Sequence, residues 1–430
     1  MRIFFSVGEP SGDIHGANLI RALQARDPQV ECVGYGGPRM AEAGCCLHAD
    51  LTKLAVMWIL RALINLHQFA QLISRADRYF RHHRPDAVVL IDYPGFNWWI
   101  ARRAKAHGIP VIYYVPPQIW AWLSYRVGKM RKFVDHVLCS LPFEQEWLRS
   151  RGCRAVQHVG HPFFDAVATH SYDEAFLKQQ RSDARPLVTL LPGSRTQEVT
   201  ANLPTFLRVA ELIAQRVPQA RFAVAAFKPH QAEWARAAIA EQGLDIPVFV
   251  GRTPELMRAA RCCLACSGSV SLELLHHAKP TVIGYQVSRA ADFAQRRLMN
   301  VPYITLVNLL ATGRLGRDRT RRPIRDDGRP ETWHDLDDGV LFPEFMGSRD
   351  PSAPIAERLV CWLTDDAAYA DIVARLERLR DEVGKPGAAG RAADYILSHV
   401  PSARPALPSP HYRPSSQATT TIGADAGRVS

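Results

Sequence analysis

The stretch DAVVLID, Asp86 to Asp92, is apolar at every position between its two acids. Nothing in it alternates, so a strand built from it must be covered on both faces, as in a parallel sheet. Other runs repeat the theme. RIFFSV (Arg2 to Val7), ECVGYGG, IPVIYYV (Ile109 to Val115) and DHVLCSL read as strands. Between them lie helical patterns: Gly16, Leu19, Ile20 and Leu23 share one face, and Asn97 to His107 reads as another helix. Strands alternating with helices argue for an open, parallel α/β sheet. A second series opens at PLVTLLPGSRTQEV and continues through RFAVAAF, PVFV, CCLAC, PTVIGY and YITLVN. Two α/β halves are therefore expected, with ligands beyond the carboxyl ends of the strands.

The chain has 430 residues, which suits two domains better than one. We place the first at 1–165, a polar linker at 166–185 and the second at 186–350. Helices follow over 351–400, with Leu359, Val360, Trp362 and Leu363 at core spacing. An Arg-rich insertion at 312–341 reads as an exposed loop. The Pro/Ser/Thr/Ala-rich stretch 401–430 lacks an apolar face and reads as disordered. The net charge of +11 favours polyanions: nucleic acid, anionic headgroups or phosphorylated ligands. The nine cysteines show no regular framework, and Cys262, Cys263 and Cys266 read as buried strand residues in a reducing cytoplasm. No secretory signal is visible, because IFFSV is too short and ends at Gly8-Glu9. The apolar segment Leu54 to Ile73 suits either a membrane surface or an ordinary core helix, but is too interrupted to span a bilayer.

Several stretches carry candidate chemistry. VGEPSGDIHGAN, Val7 to Asn18, is a glycine-rich strand-to-helix turn. Its spacing is neither the dinucleotide fingerprint nor the P-loop. It reads as a cleft wall whose glycines admit a sugar closely, or as a tight turn with Ser11 or Asp13 capping the helix. Asp92 ends an apolar strand where a general base belongs. Its alternative is a helix cap, weakened because Pro94-Gly95 should delay the helix. In LLPGSRTQEV, Gly193 and Ser194 offer amides and a hydroxyl, and Arg195 a guanidinium fork, for a diphosphate. In ACSGSVSLELL, Ser267, Gly268 and Ser269 form a second such turn, and Glu273 suits a ribose diol. Tyr113 to His136 interleaves Trp120, Trp122 and Tyr125 with Arg126, Lys129, Arg131 and Lys132. That pattern fits RNA stacking, a lipid headgroup interface, or a buried aromatic cluster beside a basic face.

GEPSGDIHGA, AVMWIL, DYPGFN, YYVPPQIWAW, LPFE, VGHPFFD, LLPGSRTQEV, SGSVSLEL and PYITLVNLLA occur in this order. Together they resemble the lipid-A-disaccharide synthases, over roughly Arg2 to Ala311 and again weakly at FPEF. The resemblance implies a GT-B fold: two Rossmann-like domains facing a central cleft, with C-terminal helices crossing back to the first. It implies inverting transfer of 2,3-diacylglucosamine from UDP-2,3-diacylglucosamine to 2,3-diacylglucosamine 1-phosphate, giving a β-1',6-linked disaccharide 1-phosphate and UDP. No cofactor, metal or nucleic acid is implied.

By the same resemblance Asp92 is the base, and Glu9 positions the acceptor or shares the proton. Gly193, Ser194, Arg195, Ser267, Gly268, Ser269, Glu273 and Asn308 line the UDP site. On the acceptor and membrane side stand Gly8, Ser11, Gly12, Met57, Trp120, Trp122 and Arg126. The expected setting is the cytoplasmic face of the inner membrane, with peripheral attachment to an anionic surface and scope for a homodimer. Two positions depart from the family. Pro116 stands where a serine is frequent, and Gln286 where some relatives carry arginine. Competing readings are a peptidoglycan glycosyltransferase, a UDP-N-acetylglucosamine epimerase, or a non-catalytic RNA- or membrane-binding module. The first-domain motifs argue against the first two, and the Arg195, Ser267 and Glu273 group against the third.

Overall fold

The computed structural model describes residues 1–55, 66–168, 170–268, 270–289, 301–313, 315, 339–348 and 350–401. Met57, Ser269, most of the Arg-rich insertion and the tail beyond 401 lie outside them.

Two all-parallel sheets form the frame. The first contains β1 (Arg2–Val7), β2 (Glu31–Gly36), β3 (Cys46–Asp50), β4 (Ala87–Ile91), β5 (Val111–Tyr114), β6 (His136–Cys139) and β7 (Ala155–His158). Their spatial order is β3-β2-β1-β4-β5-β6-β7. The second contains β8 (Leu187–Leu191), β9 (Arg221–Ala226), β10 (Val248–Val250), β11 (Cys262–Ala265), β12 (Thr281–Gln286) and β13 (Glu344–Gly347), in the order β10-β9-β8-β11-β12-β13. Every residue of β4 and β8 is buried, as an unalternating apolar run demands. In each sheet the strand order reverses direction once. The reversal falls between β1 and β4 in the first sheet and between β8 and β11 in the second.

Cys262, Cys263 and Cys266 are buried free thiols, as expected, and burial holds Cys263 up near a pKa of about 12. Other expectations need correction. The stretch 166–185 is largely helical rather than a plain linker, with helices at Phe163–Ala168 and Glu174–Ser182. YITLVN is not a strand. Thr305 accepts from the Asn308 N–H and starts the Leu306–Thr312 helix, overriding the β-branched composition. The helix after β4 is not delayed by Pro94-Gly95 but begins at Pro94, because Tyr93 takes a left-handed turn. Proline suits a first helical turn, where its missing N–H costs nothing.

The halves are fastened twice. Val301, Tyr303, Leu309 and Val340 from the second half are buried in one cluster with Phe96, Ile119 and Trp120 from the first. The helix Ala388–His399, the last among the described residues, returns to the first sheet. Its Ala392, Ala393 and Ile396 are buried with Ile3, Phe5 and Val7 of β1. Asp165 receives the amides of Gly387, Ala388 and Ala389 at the start of that helix, at 2.5, 3.1 and 2.8 Å. Arg391 reaches the Val159 carbonyl at 2.8 Å.

Candidate active site

Parallel pairing aligns the ends of β1 and β4, with Val7 opposite Ile91. The residues that follow, Gly8-Glu9 and Asp92-Tyr93, therefore meet at the first switch point, where open sheets bind ligands. Glycines make the meeting possible. A Cβ on Gly8 would fall 2.3 Å from the Tyr93 ring, and one on Gly12 would fall 2.9 Å from Val7 and 3.9 Å from the Asp92 side chain. Their small size thus serves packing within the protein. Asp13 does not cap its own helix either. It is buried and accepts the amides of Gly37, Arg39 and Met40 at the next helix, at 2.9 to 3.1 Å. Ser11 stands exposed on the first turn and makes no cap bond at the helix start.

Asp92 and Tyr93 both have positive φ, 47° and 45°. Non-glycine residues in this region are strained unless held. Asp92 is held: its carbonyl accepts from Tyr113 Oη and Asn97 Nδ2, each at 2.7 Å. Asn97, fully buried, also donates to the Ile91 and Ser6 carbonyls and accepts from Ser6 Oγ. Burial raises the pKa of Asp92. Burial also raises Glu9, the charge of Asp92 raises it further, and Arg195 pulls it back. Glu9 thus feels groups from both sheets.

The second switch point repeats the arrangement. Leu191 pairs with Ala265, so PGSR and CSG leave their strands side by side. Gly193 has φ 138°, and a Cβ there would lie 2.5 Å from Glu198. The Ser194 amide, expected to be open to an anion, instead donates to Glu198 at 3.1 Å, as does the Arg195 amide. Arg195 also donates to Glu198 at 2.8 Å, yet its side chain stays largely exposed. Ser267 donates to the Ile304 carbonyl at 3.3 Å, and Gly268 is exposed with φ 157°. Glu273 is pushed up to about 7 by burial and, secondarily, by Glu255.

Two expected site residues are buried. Asn308 is fully buried and its amide is used internally. It donates to the Phe342 carbonyl and Glu344, and accepts from the amides of Leu341 and Phe342. It ties β13 to its helix. Trp120 is also a core residue. Its Nε1 donates to buried Glu144 at 2.9 Å and its ring packs edge-on against Phe143. Trp122, 39% exposed, and half-buried Arg126 do reach the surface. Asn97, Tyr113 and Glu198 went unread as site-builders. The only signal they leave is a polar residue one turn beyond a strand end, or a hydroxyl inside an apolar strand.

The family model for lipid-A-disaccharide synthetase matches residues 3–318. The lipid-A-disaccharide synthase of Trichlorobacter lovleyi is 34% identical over 406 residues, covering 93% of this chain and 97% of that protein. That of Syntrophus aciditrophicus is 33% identical over 401 residues, covering 93% and 97%. Among solved structures, a Staphylococcus aureus MnaA–UDP complex superposes with a TM-score of 0.62 at 11% identity, covering 94% of this chain and 98% of that one. Acinetobacter baumannii MurG superposes at 0.52 and 12% identity, covering 92% and 99%. These likenesses show the GT-B fold alone. With strands, switch points and sequence matches in agreement, the chain belongs to the lipid-A-disaccharide synthase family.

Proposed function

We propose that this chain transfers 2,3-diacylglucosamine from UDP-2,3-diacylglucosamine to 2,3-diacylglucosamine 1-phosphate, with inversion. The observation that carries this reading is the strand register that sets Gly8-Glu9 beside Asp92-Tyr93 at the first switch point and PGSR beside CSG at the second. An acceptor held on the first sheet and a diphosphate on the second then meet between these groups.

The acceptor hydroxyl oxygen forms the new bond to the anomeric carbon. Asp92 takes its proton, with the raised basicity that burial confers. The bond from that carbon to the diphosphate oxygen breaks, and its electron pair leaves with UDP. Arg195 stabilises the charge growing there. Glu9 orients the acceptor. Glu273, as a carboxylate, accepts from the ribose hydroxyls, with the Ser267–Gly268 turn beside it. Exposed Trp122 and Tyr125, with Arg126 and exposed Lys129, suit contact with an anionic membrane surface. Among the described residues no helix is long and apolar enough to cross a membrane.

The test combines both lipid substrates with the full chain, with and without a chelator. Disaccharide 1-phosphate and UDP should form in equal amounts. UDP release without disaccharide would sink the reading and favour an epimerase or hydrolase.

A further inference from the structure

Beside the first switch point, a groove of about 590 Å³ runs between the Leu66–His83 and Pro94–Ala106 helices. One stripe on each helix lines it: Phe69 and Ile73 on the first, Gly95, Phe96 and Trp99 on the second. Trp99 is 49% exposed, an apolar ring left facing open space. Ser74, Asp77 and Arg103 add polar groups to the lining, and Asp77 is occupied by His107 at 3.0 Å. The groove connects with the chemistry through Tyr93. That ring forms part of the wall and also lies against Gly8, next to Glu9 and Asp92.

We propose that this groove holds an acyl chain of the acceptor lipid. The inference rests on the reading above. The observations that select this occupant are a concave apolar trough, its continuity with the Asp92 turn, and its place on the first sheet. A flat bilayer surface would not fill a concave trough, whereas a single hydrocarbon chain does. Tyr93 then acts as the hinge point where a bound chain passes from the trough to the reacting sugar.

Gly95 gives a clean test. A Cβ there meets nothing within 4 Å, so Gly95→Leu puts its side chain into open space. Binding of 2,3-diacylglucosamine 1-phosphate with stepwise-shortened chains is measured on the full-length protein by calorimetry, with UDP binding as the check of folding. For the wild type each added methylene should raise affinity about fourfold until the trough is full. In Gly95→Leu the rise should stop at a shorter chain, and full-length acceptor should bind at least about tenfold more weakly. Trp99→Ala, which removes a wall, should flatten the same rise and serves if Gly95→Leu fails to bind UDP. Parallel curves for wild type and both variants would overturn the proposal. So would an equal loss for acylated and deacylated acceptor, or a loss of anionic vesicle binding with the chain-length curve untouched. Disaccharide formation by the wild type, scored separately, tests the reading of function rather than the groove.

Discussion

Asp92 has a positive φ of 47°, and burial makes its carboxyl a stronger base than usual. Asp92→Asn keeps the shape and removes the proton acceptor. Disaccharide formation should fall by about 10²–10⁴ while UDP affinity holds. Retained turnover would remove Asp92 from the reaction. Arg195→Ala should weaken UDP binding roughly tenfold or more, read by calorimetry, since a charged hydrogen bond is worth about 1.5–3 kcal/mol. Glu273 gives a pH prediction. Its pKa is lifted to about 7, so below that pH the carboxyl is protonated and accepts ribose hydroxyls poorly. UDP affinity should drop as the pH falls through 7. Glu255→Gln removes the neighbouring negative charge, and the drop should move to lower pH. For the empty fold the sign is opposite. A carboxyl whose folded pKa is raised contributes stability when protonated, and that contribution is lost as the pH rises through about 7.

At the scale of elements, Asn97 joins β1, β4 and the turn between β4 and its helix through one buried amide. Asn97→Ala leaves these carbonyls and Ser6 without that partner. Urea denaturation should show a loss of about 2–3 kcal/mol. Turnover should fall with it, because the strained Asp92 turn loses one of its two carbonyl donors. This part of the molecule was hard to read from sequence, for a physical reason. A polar residue early in a helix resembles a solvated one until the neighbouring strands are in place. Glu198 disguised itself in the same way, looking like a helix-start acid while it closed the PGSR amides. Central strands were legible because coverage on both faces requires unbroken apolar runs, as in β4 and β8. The strands that escaped notice, β3, β7 and β13, all lie at sheet edges and are partly exposed. Their composition is therefore mixed. The positions of Glu9, Asp92 and Arg195 at strand-to-helix turns were legible, since each turn follows a buried strand. Burial of Asn308 and Trp120 was not legible, because a polar or aromatic residue serves the core as readily as the surface.

Across the whole molecule, the two sheets are joined by shared apolar burial and by the returning Ala388–His399 helix. Asp165 anchors the start of that helix with three amides. Asp165→Ala should cost about 1–2 kcal/mol, visible as a lower melting midpoint. The net charge of +11 bears on the proposed membrane attachment. Binding to anionic vesicles should weaken as salt rises, since screening shortens the reach of exposed cations; binding indifferent to salt would refute the electrostatic part. The returning helix also sets an order of events during synthesis. Ile396 shares a core with Ile3 and Phe5, so β1 completes its packing only once the Ala388–His399 helix has been made. Until then the nascent first domain exposes an apolar face, and a chain stalled before residue 388 is a natural client for chaperones or proteases.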